Sequence, residues 1–241
     1  MIELANVTHG YGDRPVLHDI SLRLTERRIG LIGANGSGKS TLARLLNGLI
    51  LPDSGQVLVD GLDTMKQGRA VRRKVGFVFP DAGTQIIMPT VAEDVTVGLR
   101  NRGLSKEEVA ARVTDVLARY GLADHHDHAA HLLSGGQKQM LALAAVLVTE
   151  PEILVCDEPT TLLDRRNVRT VMETLRTLPQ QVILLTHQLE TLDDFDRVLV
   201  VGEGRVVFDG SPGNAIDHYI ESIDAGAVPV GDQAGEPIRD L

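Results

Sequence analysis

Residues 28–48 read RIGLIGANGSGKSTLARLLNG. A strand-like run, 28–33, gives way to a glycine-rich loop, and the loop to a helix-forming run that starts at Lys39. Gly33, Gly38, Lys39 and Ser40 satisfy G-x4-G-K-[ST] in the strand–loop–helix setting that the pattern requires. Gly33, Gly36 and Gly38, with Asn35 and Ser37 between them, let the backbone wrap a phosphate with its N–H groups. The start of the helix adds the positive end of a dipole. Lys39 is placed to reach the β- and γ-phosphates, Ser40 to ligate Mg²⁺, and Thr41 lies in the first helical turn. The stretch predicts nucleotide binding with Mg²⁺ as the accompanying ion.

Outward from this loop, the apolar segments alternate in period. Strands are expected at 2–8, 18–24, 28–32, 56–60, 75–79, 152–157, 181–186, 197–202 and 205–209. Helices are expected at 39–48, 91–100, 105–120, 136–149, 165–177 and 211–222. Ser105 with Glu108 forms a capping box, and Ser211-Pro212 fits an N-cap followed by the first helical position. Strands alternating with helices predict an α/β fold: a P-loop NTPase core with a mainly parallel sheet covered on both faces. The early strands precede any helix and predict an antiparallel β portion at the N-terminal side. No convincing strand occurs between about 88 and 138, which reads as an inserted α-helical subdomain. Residues 1–222 are thus expected to form one nucleotide-binding domain, and 223–241, which lack periodicity, a mobile tail.

Composition narrows the function. Of 241 residues 43% are hydrophobic, 3% are aromatic, and the formal net charge is −9. Such a chain lacks the cationic surface and the stacking platform that nucleic acid requires, so no nucleic-acid partner is expected. The only cysteine, Cys156, lies in an apolar run and cannot form an internal disulfide. No signal peptide is read at the N-terminus. The longest apolar stretch, MLALAAVLV (140–148), is about half of the roughly 20 residues that cross a bilayer. A membrane role therefore requires a partner.

A second strand, ILVCDEPT (153–160), ends in two acids. Asp157 arrives at the C-terminal end of the strand, where parallel sheets bind ligands, and suits the Mg²⁺ shell. Glu158 is placed to orient a water that attacks the γ-phosphate. In Leu133-Ser134-Gly135-Gly136-Gln137 another helix opens on small residues, giving a second anion-ready helix start.

With LSGGQ, the P-loop and the strand-end acids in this order and spacing, residues 1–222 resemble the ATP-binding cassette (ABC) ATPases. The resemblance implies a head-to-tail dimer, with a second copy of the chain or a paralogous ATPase, in which each ATP lies between one P-loop and the partner's signature. Ser134, Gly135, Gly136 and Gln137 would then act in trans. It further implies that Tyr11 stacks on adenine, that Asp164 in TTLLD is the D-loop residue, and that His187 in VILLTHQ is a catalytic residue that contacts the γ-phosphate.

Within the transport branch, VGFVF, a loop, and then QIIMPTVAEDV resemble the ATPases of energy-coupling factor (ECF) importers for vitamins and transition-metal ions. LSGGQKQMLALAAVL and DEPTTLLDRRN are most similar to the biotin-importer ATPases of that group. This implies a transmembrane coupling subunit, an integral substrate-binding subunit and a place on the cytoplasmic face of the cell membrane. Cobalt or nickel cargo is the alternative, as is a regulatory ATP-binding module with weak hydrolysis.

The family usually has glutamine after the strand at 75–79, where this chain has Pro80, which offers neither a side-chain ligand nor a backbone donor. Water, Asp81 or Gln85 is left to fill that glutamine's place at Mg²⁺. Ile86, Ile87 and Met88 suit either core packing or a docking surface for a coupling helix. Residues 124–131, DHHDHAAH, gather His125, His126, His128 and His131 beside Asp124 and Asp127. The run reads either as a solvated loop or as a site for nickel, cobalt or zinc.

Overall fold

The computed structural model describes residues 1–226, and its core is a six-stranded sheet that carries the glycine-rich loop at its middle. In chain order the strands are β1 (Ile2–Tyr11), β2 (Arg14–Leu24), β3 (Arg28–Ile32), β4 (Ser54–Val59), β5 (Leu62–Asp63), β6 (Val75–Val78), β7 (Ile153–Asp157), β8 (Gln181–Leu185), β9 (Arg197–Gly202) and β10 (Arg205–Gly210). The helices are α1 (Lys39–Leu46), α2 (Thr64–Lys74), α3 (Ala82–Gln85), α4 (Val91–Val97), α5 (Lys106–Arg119), α6 (Gly135–Leu147), α7 (Arg165–Thr177) and α8 (Pro212–Asp224).

The large sheet has the order β10-β9-β3-β8-β7-β6. It is parallel from β9 to β6, and only β10 runs antiparallel, as the edge strand beside β9. A second sheet, β2-β1-β4-β5, is antiparallel throughout. Alternate residues of the central strands enter two separate cores. Ile29, Leu31, Ile153, Val155, Ile183 and Leu185 face the core shared with the antiparallel sheet and α1. Ile32, Leu154, Cys156, Val182 and Leu184 face the core shared with the helices. Burial on both faces explains the near-continuous apolar runs of these strands. Each fully buried aliphatic side chain contributes about 1.5–3 kcal/mol, so the strand ends that carry polar residues are held by a rigid platform.

Between β6 and β7 the described chain is helical, apart from an isolated bridge between Thr90 and Ala129. α5 packs on α4 and α6 through Val113, Val116 and Leu117, as its apolar stripe predicts. Ser105 and Glu108 do form the expected capping box, and Thr90 with Glu93 forms another at the start of α4.

Several elements differ from those the sequence predicts. α2 was not expected, because it buries only Thr64 and Val71 and its last turn is Arg72, Arg73 and Lys74. Asp63 starts it by accepting the Met65 N–H, a capping signal unaccompanied by an apolar stripe. β1 and β2 are longer than expected because they close as a hairpin about Gly12, which has φ 58°. α8 runs through Asp224, past the expected domain end at 222. Of the segment expected as a tail, residues 227–241 lie outside the described residues. Among the described residues, no helix is long and apolar enough to cross a membrane.

Candidate active site

β3 is buried along its whole length and delivers Gly33 to the top of the sheet. Gly33 has φ 149°, and a Cβ there would collide with the Val201 carbonyl, so no other residue fits. Gly36 (φ 77°) and Gly38 (φ 105°) supply the left-handed turns that bring the chain into α1. Ser37 closes the loop by donating its N–H to the Ala34 carbonyl at 3.2 Å. Gly38, the N-cap of α1, provides no side-chain acceptor, so the first-turn N–H groups of the helix stay available to an anion. The Lys39 ammonium lies across the loop, donating to the carbonyls of Gly33 (2.7 Å) and Ala34 (2.8 Å). Burial lowers its pKa below that of an ordinary lysine, and the charges of Glu158 and Asp157 oppose that shift. Thr41 is buried behind it.

β7 places its terminal carboxylate beside this loop. Ser40 Oγ donates to Asp157 Oδ1 at 3.0 Å, whereas Asp157 Oδ2 is buried and has no hydrogen-bond partner. Burial raises the Asp157 pKa above the usual carboxylate value, and the Ser40 hydrogen bond, Arg44 and Lys39 hold it down. An orphaned carboxylate oxygen next to a hydroxyl is the donor set that a hard divalent cation takes, so the residues fit Mg²⁺. One position on, Glu158 has φ 48° and its carboxylate turns toward β8. Glu158 Oε2 lies 2.7 Å from His187 Nδ1 and accepts from Thr161 Oγ1 at 2.8 Å. A cleft of about 330 Å³ opens here, lined by Tyr11, Arg14, Val16, Asn35, Gly36, Gly38, Lys39, Ser40, Thr41 and Glu158. The exposed Tyr11 ring stands edge-on to His9, with centroids 5.0 Å apart. The fold therefore gathers Tyr11, the glycine loop, Asp157, Glu158 and His187 around one cleft. Arg14 and Val16 line it as well, and Thr161 reaches it through Glu158; no sequence motif marks these three.

Ser134, Gly135, Gly136 and Gln137 do not line that cleft. They form the start of α6, where Ser134 accepts the Gln137 N–H at 3.3 Å and Gln137 Oε1 accepts the Ser134 N–H at 2.9 Å. Ser134 and Gly135 are exposed. Asp164 caps α7, accepting from the Asn167 N–H (2.9 Å) and from Asn167 Nδ2 (3.0 Å). The other face of Asn167 lies against Gly136, where a Cβ would overlap its side-chain amide. Gly136 and Asp164 thus share one asparagine, a neighbour that no local motif announces.

Pro80 lies in a separate cleft with Asp81, Gly83, Gly135, Lys138 and Leu162. Asp81 Oδ1 caps α3 by accepting the Gly83 N–H at 2.7 Å. Gln85 Oε1 accepts the Phe79 N–H at 3.0 Å. Beyond α3, Ile87 is 69% exposed, beside a groove completed by Ile86, Met88, Pro89, Ala130, His131 and Lys138; the core-packing reading of Ile87 therefore fails. In the histidine run, His126 Nδ1 contacts Asp127 Oδ1 at 2.7 Å, and the rings of His125 and His128 are 4.9 Å apart. Among the described residues, no group of three or more His, Cys, Asp or Glu is placed to hold a metal ion.

Comparisons with known proteins identify the family. The model of the family described as ABC transporter matches residues 17–161. A Deinococcus radiodurans protein named only for ABC transporter ATP binding is 56% identical over 221 residues, covering 92% of this chain and 98% of its own. The biotin transport ATP-binding protein BioM of Rhizobium etli is 46% identical, covering 91% and 98%. The energy-coupling factor transporter ATP-binding protein EcfA1 of Caldanaerobacter subterraneus is 42% identical, covering 88% and 81%. Among solved structures, CbiO1 of Clostridium perfringens, part of the ABC transporter complex CbiONQ, superposes with a TM-score of 0.80 at 32% identity, covering 94% of each chain. The cassette MJ0796, solved as a dimer bound to ADP and Pi, superposes with a TM-score of 0.78 at 29% identity, covering 88% of this chain and 99% of its own. With that family model matching more than half of the chain, and relatives of this identity covered over nearly their whole length, the chain belongs to the ABC transporter family and is one of its ATPases.

Proposed function

We propose that the chain is the ATP-hydrolysing energising subunit of an ECF-type importer, acting as a head-to-tail dimer of cassettes. One observation carries the dimer: the cleft holds Tyr11, the P-loop and Glu158 but none of Ser134, Gly135 and Gly136. A second copy, or a paralogous ATPase, supplies the missing half of each site. Likeness to a dimeric cassette supports the same arrangement. Residues 1–222, with the helical insertion at about 88–138, act as one ATP-binding domain.

In this reading Tyr11 stacks on the base, the loop N–H groups and Lys39 hold the phosphates, and Ser40 with Asp157 holds Mg²⁺. Mg²⁺, when bound, neutralises charge on the β- and γ-phosphate oxygens. Glu158 accepts a proton from, and orients, the attacking water, and His187 and Thr161 fix the carboxylate that does so. Asp81 and Gln85 are both engaged within their own loop, so water takes the place of the glutamine that Pro80 replaces.

The groove beside Ile87 receives a transmembrane coupling subunit, which in turn joins an integral substrate-binding subunit. The chain would then sit on the cytoplasmic face of the membrane, peripheral through that contact. Biotin is the favoured cargo, supported by the identity to BioM. Phosphate release by the isolated chain, by Glu158→Gln and by the complex with its membrane subunits tests the assignment. Hydrolysis unaffected by Glu158→Gln refutes the role given to that carboxylate, and biotin uptake independent of this chain refutes the cargo.

A further inference from the structure

The nucleotide site makes no use of the run Asp124–His131, yet one of its histidines touches the signature. Gln137 has a single amide oxygen, and that oxygen accepts the Ser134 N–H at 2.9 Å. Its amide nitrogen lies 2.9 Å from His125 Nε2. An amide NH₂ can only donate, so His125 Nε2 is the acceptor in this contact, while His125 Nδ1 is buried without a hydrogen-bond partner. The ring is held in turn by its own loop. The carbonyls of His126 and His128 accept the N–H groups of Ala92 and Val91 at 3.0 and 3.1 Å, tying the loop to the first turn of α4. The His128 ring packs against that of His125.

Resting on the dimer reading above, we propose that His125 is a positioning residue for the signature. It fixes the Gln137 side chain, and through the reciprocal bonds between Gln137 and Ser134 it sets the aim of the α6 N-terminus at the ATP of the facing chain. Without the imidazole acceptor, the Gln137 amide is free to rotate. The Ser134 N–H then loses its acceptor, and the first turn of α6 frays where charge-assisted bonds to phosphate have to form. The signature pattern itself contains no sign of this residue, because His125 lies twelve positions upstream of Gln137.

The test compares His125→Ala, His125→Gln, Gln137→Ala and the double variant His125→Ala/Gln137→Ala, each in a Glu158→Gln chain that retains ATP. Three quantities are read: amide exchange of residues 134–138 in the nucleotide-free monomer, affinity of the monomer for a fluorescent ATP analogue, and the ATP concentration that half-saturates dimer formation. His125→Ala should speed exchange at the α6 start several-fold. It should raise the ATP requirement for dimerisation by roughly 3- to 10-fold, the range that one lost hydrogen bond produces, with monomer affinity unchanged. His125→Gln, whose carbonyl can accept from Gln137, should stay within about twofold of the parent, and His125→Ala should add nothing to Gln137→Ala. Unaltered exchange in His125→Ala, or effects of the two alanine variants that multiply, would overturn the proposal. A parent that binds ATP without dimerising would refute the dimer reading instead, and the exchange measurement would still decide the role of His125.

Discussion

His187 Nδ1 lies 2.7 Å from Glu158 Oε2, joining the ends of two neighbouring parallel strands, β7 and β8, at the mouth of the nucleotide cleft. The same carboxylate oxygen accepts the Thr161 hydroxyl, so Glu158 is held from both sides. A carboxylate that is anchored in advance can orient a water without paying for its own ordering during the reaction.

Removing its charge gives the first prediction. Glu158→Gln should lower the rate of phosphate release by about 100-fold or more while leaving ATP affinity within a fewfold, since the side chain acts on water and not on phosphate binding. Thr161→Ala removes only one of the two anchors and should cost much less, about two- to tenfold in kcat. Steady-state kinetics alongside equilibrium nucleotide binding separates the two quantities.

Asp157 sets a second expectation, one of stability. Burial raises its pKa on folding, so the folded chain binds a proton at Asp157 more readily than the unfolded chain does. For a carboxyl raised in this way, the stabilising contribution is present at low pH and is lost as pH rises through the folded-state pKa; the ionised, buried group then weighs against folding. Asp157→Asn should therefore match the parent near pH 4 and melt at a higher temperature than the parent at neutral pH, both without nucleotide. Adding Mg²⁺ to saturating ATP should stabilise the parent more than the variant, because only the parent keeps the Asp157 carboxylate that holds a cation beside the Ser40 hydroxyl. Thermal melts across pH, with and without Mg²⁺, read both arms.

The crowding of Gly136 against Asn167 makes a third. Gly136→Ala has to push the Asn167 amide aside, and with it the contact to Asp164. ATP-driven dimerisation should fail, with nucleotide binding to the monomer kept. Adding Asn167→Ala relieves the overlap and should restore part of the dimer, and sedimentation of the single and double variants shows whether it does.

At the Pro80 loop, Asp81→Ala and Gln85→Ala should leave the Mg²⁺ concentration for half-maximal hydrolysis unchanged, since both side chains already bond to loop N–H groups. A shift of threefold or more in either titration would assign that residue to the metal.

Much of the site was legible in the sequence because its parts are local. Gly33 to Ser40 form one turn, and Asp157 with Glu158 end one strand, so spacing alone prescribes their geometry. The fold class followed from runs such as ILVC, buried on both faces of a parallel sheet. What was not legible depends on contacts between segments. Asn167 matters because α7 carries it against Gly136, and His125 because the loop after α5 folds back on α6. α2 went unread for a different reason: it lies on the surface with a narrow buried stripe, so its periodicity is weak. Ile87 could be excluded from the core only once its exposure was seen.

Sedimentation velocity on the Glu158→Gln chain, with nucleotide occupancy measured on the same samples, tests the composite site most directly. The account predicts a monomer without nucleotide, a dimer with Mg²⁺ and ATP that holds one ATP per chain, and a Ser134→Arg derivative that binds ATP but stays monomeric. An ATP-saturated parent that remains monomeric, or a Ser134→Arg derivative that dimerises as readily as its parent, would contradict it.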